Sequence, residues 1–196
     1  MASADPKVTL HEYLRGAREA LLSKMEGLSE YDIRRPLTPT GTNLLGLVKH
    51  LSMVESWYSG KTFDRPFPEH LPWWDEDAPI NADFWATEHE TRQEIVERHR
   101  RVAAHADATI DDLALGSPGR VPWWPRPEVT LHTMLVHVLA ETNRHAGHAD
   151  ILREHLDGRA GTNPDFANLP EQDESWWKHH RARIEQAARR AAGAAP

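Results

Sequence analysis

The sequence predicts an all-α protein, a bundle of four long helices with one additional C-terminal helix. Apolar residues recur at helical spacing in five segments, turn-forming residues separate those segments, and no stretch alternates in the manner of a strand. The chain of 196 residues is 39% hydrophobic and 27% charged, the balance of a water-soluble globular protein. Residues 1–196 are expected to form one domain, about 8–157 the bundle and 158–196 a C-terminal loop and helix. At this length one core removes roughly 70% of the unfolded surface from water, so no covalent staple is needed.

The first helix runs from Val8 to about Leu28, with Leu10, Leu14, Ala17, Leu21 and Met25 on one face. The turn-rich stretch from Arg35 to Thr42 ends it, and Thr42 or Asn43 caps a second helix reaching about Lys61. Leu44, Leu47, Val48, Leu51, Val54 and Tyr58 form its buried stripe. Prolines, acids and the pair Trp73-Trp74 make Asp64 to Pro79 a long excursion. A third, heavily charged helix starts near Asn81 or Asp83 and continues to about His105. After a loop containing Trp123-Trp124, a fourth helix runs from about Glu128 to Leu156, with Gly158 as its stop. Glu171 to Ala192 forms the last helix, carrying Trp176, Trp177, Ile184 and Ala188.

Composition excludes several chemistries. The chain has no cysteine, which removes disulfides, thiolate zinc sites and a cysteine nucleophile. A net charge of −7 and the lack of a basic stripe argue against nucleic acid as a partner. No apolar run approaches the roughly 18 residues of a membrane span, and the N-terminus has no secretory pattern, so a cytoplasmic protein with no membrane partner is expected.

The conspicuous residue is histidine, with 13 copies. On the fourth helix Leu131, Met134, Leu135, Val138, Thr142, His145, Ala149 and Leu152 share one arc, and Glu141 stands at its edge one turn before His145. A carboxylate there needs a cation or a proton. A divalent metal is one solution, because carboxylate and imidazole one turn apart suit a helix-borne site. A hydrogen-bonded core glutamate beside a partly buried histidine is the other, since 13 histidines make such pairs common. His50 on the second helix, at the flank of its stripe beside Asn43, Val54 and Trp57, offers a third ligand.

The stretch Pro39-Thr40-Gly41-Thr42-Asn43-Leu44-Leu45-Gly46-Leu47-Val48-Lys49-His50-Leu51 with Glu55, and the block from Glu141 to Glu154 containing His145, His148, Asp150 and Arg153, resemble the DinB-like superfamily. They are most similar to its actinobacterial branch of largely uncharacterised proteins, over most of the chain up to about Asp157. The resemblance implies a four-helix bundle of up-down-down-up order with a metal on His50, Glu141 and His145. The commonest version of the pattern has histidine at all three positions; glutamate at the second occurs in the similar metal-binding domain of mycothiol-dependent maleylpyruvate isomerases. Zinc is the first expectation for such a set, with nickel, manganese and iron as alternatives.

The resemblance also implies an enzyme that uses a low-molecular-weight thiol, mycothiol or bacillithiol, in S-transfer, isomerisation or conjugation. Its partners would be that thiol and a small-molecule electrophile, and a homodimer is expected. A chain without cysteine would then borrow its thiol, activated on the metal. The alternative is a non-catalytic metal- or ligand-binding stress-response protein.

Other residues keep two readings each. His148 could assist a ligand or move a proton, or lie on a surface with an Asp150–Arg153 pair beside it. Asn43 and Trp57 are candidate cofactor-binding residues, Asn43 being equally an N-cap. His137, one turn before Glu141, is a quarter turn off the apolar face, and Glu55 reads as a polar contact. The tryptophan pairs cover core ends or line a pocket or dimer face.

Overall fold

The computed structural model describes residues 5–162, 166–167 and 169–193. Among them the regular elements are α1 (Pro6–Ser23), α2 (Glu30–Arg34), α3 (Leu44–Tyr58), α4 (Arg92–Asp112), a ribbon of β1 (Pro118–Arg120) and β2 (Glu128–Thr130), α5 (Leu131–Asp157) and α6 (Glu174–Ala191). Short 3-10 turns punctuate the excursion between α3 and α4.

Local chemistry sets these boundaries. Asp5 caps α1, which ends at Ser23 rather than about Leu28, and Ser29 caps the short α2, an element not expected from the sequence. Asn43 caps α3 by accepting from the Gly46 amide. The third long helix begins later than Asn81 or Asp83 and ends beyond His105, because Thr91 and Glu94 form a reciprocal capping box that starts α4 at Arg92. Residues 82–84 make only one 3-10 turn. Glu128 belongs to β2, paired antiparallel with β1, and Thr130 caps α5. Three-residue strands are too short to show alternation in sequence. Gly158 closes α5 at φ 77°, a left-handed conformation that glycine adopts without strain.

Contacts along the helices fix their directions. Leu14 packs with Leu131, Leu135 and Val138, and Lys24 pairs with Asp150, so α1 and α5 run parallel. Leu44 and Leu45 share a cluster with Ala149 and Leu152 while Tyr58 meets His137, so α3 opposes α5. Lys49 pairs with Glu90 and Ser52 with His99, so α4 follows α3. The order is up-down-down-up.

The apolar core encloses a buried ionic cluster where α1, α3 and α4 meet. There Arg18 pairs with Glu55 and Asp107, and His11 bonds Asp107. The expected Asp150–Arg153 surface pair is replaced by buried tethers. Asp150 holds Lys24 and the Gly161 amide, and Arg153 donates to the carbonyls of Lys24 and Glu26 and pairs with Asp157. No helix of the described residues is long and apolar enough to cross a membrane. Helix α6 buries none of its residues and carries Lys178, Arg181, Arg183, Arg189 and Arg190 against Glu174 and Glu185.

Candidate metal centre

The antiparallel α3 and α5 share a seam, and the three expected ligands meet in it. His50 lies in the second turn of α3 and His145 past the middle of α5, both buried. Their rings stand edge to face with centroids 4.9 Å apart. Glu141, one turn before His145, brings Oε1 to 3.7 Å from the Nε2 of His145. One donor atom from each of the three residues lies within 4.8 Å of the others.

This arrangement fits a divalent cation. A separation of 3.7 Å is too long for a hydrogen bond. It is close to the edge of a coordination tetrahedron, where donors about 2.0–2.1 Å from an ion stand roughly 3.3 Å apart. His145 Nδ1 is buried with no hydrogen-bond partner. Burial, reinforced by His50 and opposed by Glu141, pushes the His145 imidazole down to about 4. It is therefore neutral at neutral pH, the form that binds metals. Two imidazole nitrogens and one carboxylate oxygen make a set suited to zinc and comparable ions.

The excursion between α3 and α4 supplies residues that periodicity did not flag. Asp83 Oδ2 lies 2.6 Å from His50 Nδ1. The Phe84 ring stacks on the His50 imidazole with centroids 4.0 Å apart. Asn43 is 2% exposed; its Nδ2 donates to the Phe84 carbonyl at 3.2 Å while its Oδ1 caps α3. Lys49 Nζ donates to the Trp85 carbonyl and pairs with Glu90. The signal available in the sequence was Gly46, since a glycine inside a helix often marks a close backbone approach. A Cβ there would lie 1.8 Å from the Phe84 carbonyl oxygen.

Toward the C-terminal end of α3 the seam becomes aromatic. Trp57 packs against Trp74 and Trp123 at 5.0 and 4.7 Å, and Lys61 Nζ lies 4.0 Å from the Trp57 ring centroid. The indole N–H of Trp57 is buried and has no partner. His137 sits between Tyr58 and Trp124, and burial lowers its pKa against the pull of Glu141. Beyond Trp57 a groove of about 480 Å³ passes Lys61, Phe63, Gly119, Arg120 and Glu128. His148 is exposed, its ring centroid 5.3 Å from that of His145. Trp73 is buried beneath Lys49 and Arg98, and Trp176 and Trp177 pack on each other within α6.

A family model described as mycothiol-S-transferase matches residues 9–158. Among solved structures, the chain is similar to a conserved protein from Enterococcus faecalis at a TM-score of 0.59 and 15% identity. That alignment covers 80% of this chain and 100% of the other, and at such low identity the likeness concerns the fold. No curated protein matches the chain.

Proposed function

From the premise that the chain belongs to the mycothiol S-transferase family of the DinB-like superfamily, we propose that it is a metal-dependent enzyme joining a low-molecular-weight thiol to a small electrophile. His50, Glu141 and His145 would hold the ion, with zinc as the metal and mycothiol as the thiol. When bound, a divalent ion supplies the positive charge that favours thiolate over thiol at neutral pH. In the transfer the S–H proton leaves, the sulfur lone pair forms a C–S bond, and the electrophile expels a leaving group or takes up a proton.

The chain's residues divide this work. The two buried imidazoles present nitrogen donors to the seam, and the carboxylate of Glu141, whose side chain is 27% exposed, offsets the charge of a cation. Exposed His148 carries the released proton to solvent. Trp57, with Trp74 and Trp123, forms an apolar wall against the body of the thiol or the electrophile. The unpaired indole N–H of Trp57 is a donor for a polar group of either. The protein would act in the cytoplasm as a homodimer, for which exposed Val136 and Ile151 on α5 offer apolar contact area.

The convergence of His50, Glu141 and His145 carries this reading. Its test is the metal content of protein purified without added chelator, followed by mycothiol consumption with a panel of electrophiles. About one zinc per chain and metal-dependent consumption support it. Stoichiometric metal without turnover of any thiol would favour the non-catalytic binder instead.

A further inference from the structure

Asp83 is the strongest unexplained feature of the seam. It lies in a one-turn 3-10 helix, Ala82–Phe84, entered through Asn81 in a left-handed conformation at φ 61°. Its carboxylate is 9% exposed as a residue and meets His50 Nδ1 at 2.6 Å. An ionised carboxylate only accepts, so Nδ1 must carry the proton. In the neutral ring His50 Nε2 is then the nitrogen without a proton, the one able to bind an ion.

The segment holding Asp83 is fastened to α3 by contacts that involve none of the three ligands. The Phe84 carbonyl accepts from Asn43 Nδ2, and the Trp85 carbonyl accepts from Lys49 Nζ at 3.0 Å. Lys49, 3% exposed, also pairs with Glu90, whose Oε2 accepts from the Thr87 amide. Gly46 lets the Phe84 carbonyl approach the helix closer than any side chain would permit. Buried groups tied to a loop this specifically are costly unless the loop must sit in one place.

We propose that Asp83 is a positioning residue for the metal centre. It fixes His50 as the Nδ1–H tautomer, ring oriented by the carboxylate on one edge and by Phe84 on its face, and Asn43, Gly46 and Lys49 form the clamp that delivers it. This deepens the metal reading and rests on it. Outer partners of this kind raise ligand basicity and hold ring orientation, and their removal typically weakens metal affinity about 10–100-fold.

The test uses full-length, metal-free protein and two readouts. Zinc affinity is measured by chelator competition, and the His50 tautomer by ¹⁵N shifts of its ring nitrogens, without metal. D83A is expected to bind zinc about 10–100-fold more weakly and to move His50 toward the Nε2–H tautomer. D83E is expected to recover part of both. G46A is expected to lower zinc affinity in the same direction, although alanine ordinarily favours a helix over glycine. Should D83A fold poorly, D83N supplies the same comparison without removing the side chain. Wild-type zinc affinity within a factor of about two in D83A and D83N, or an unchanged His50 tautomer in both, overturns the proposal. Failure of the wild-type protein to bind any divalent ion overturns the metal reading itself, and is a distinct result.

Discussion

Arg18 on α1 reaches Glu55 on α3 through the interior, Nε 2.9 Å from Oε1, with the two side chains 6% and 0% exposed. Burial opposes the charge on Arg18, and Glu55 and Asp107 together outweigh it, raising its pKa. Breaking such a pair on one side costs more than replacing both partners. E55A is therefore expected to destabilise the protein by about 3 kcal/mol, with the double variant R18M/E55L less affected than E55A. Urea unfolding decides it. A single variant no less stable than the double one would show that Asp107 alone compensates Arg18.

Metal affinity is expected to depend on all three ligands, with H50A, E141A and H145A each weakening zinc binding by more than about 100-fold, a greater loss than the 10–100-fold typical of an outer partner. Circular dichroism of the metal-free variants checks that the helices remain. A variant that keeps wild-type affinity removes its residue from the ligand set.

Acid should destabilise the metal-free protein well above the carboxylate range. His145 titrates near 4 in the folded state, against about 6.5 unfolded. Between these values the unfolded chain holds more protons, so stability is complete above about pH 6.5 and falls as pH drops toward 4. The shift corresponds to about 3 kcal/mol at most. His99 acts in the same direction, its pKa lowered chiefly by burial. Urea midpoints at pH 7, 6 and 5 should decline, and H145Q should flatten the decline. A midpoint that stays constant over that range contradicts the prediction.

Trp57 separates substrate contact from metal holding. W57A is expected to raise KM for the thiol or the electrophile about tenfold, equivalent to about 1.4 kcal/mol, with zinc affinity unchanged. Equal loss of zinc affinity would assign Trp57 to packing of the seam.

The bundle was legible because its signals are local. The stripe of α3, the Asn43 cap and the Gly158 stop are set by neighbours within a turn or two. His50, Glu141 and His145 stood out because ionisable groups beside an apolar arc demand a reason. Asp83 did not, since an acid at the expected start of a helix looks like an ordinary first-turn residue, and its partner lies on a different element. Lys49 carried no signal for the same cause: its carbonyl and carboxylate partners, on Trp85 and Glu90, come from far along the chain. The β1–β2 ribbon was missed because its hydrogen bonds, not its side-chain pattern, define it.

Helix α6 follows the bundle without burying a residue in it. Among the described residues, the last buried positions before it are Arg153 and Gly161. Its 18 residues are near the length at which an isolated helix holds together in water. Helix α6 is accordingly a natural attachment point: a fused partner or an immobilising linker placed on it would load a helix that neither the core nor the histidine seam leans on.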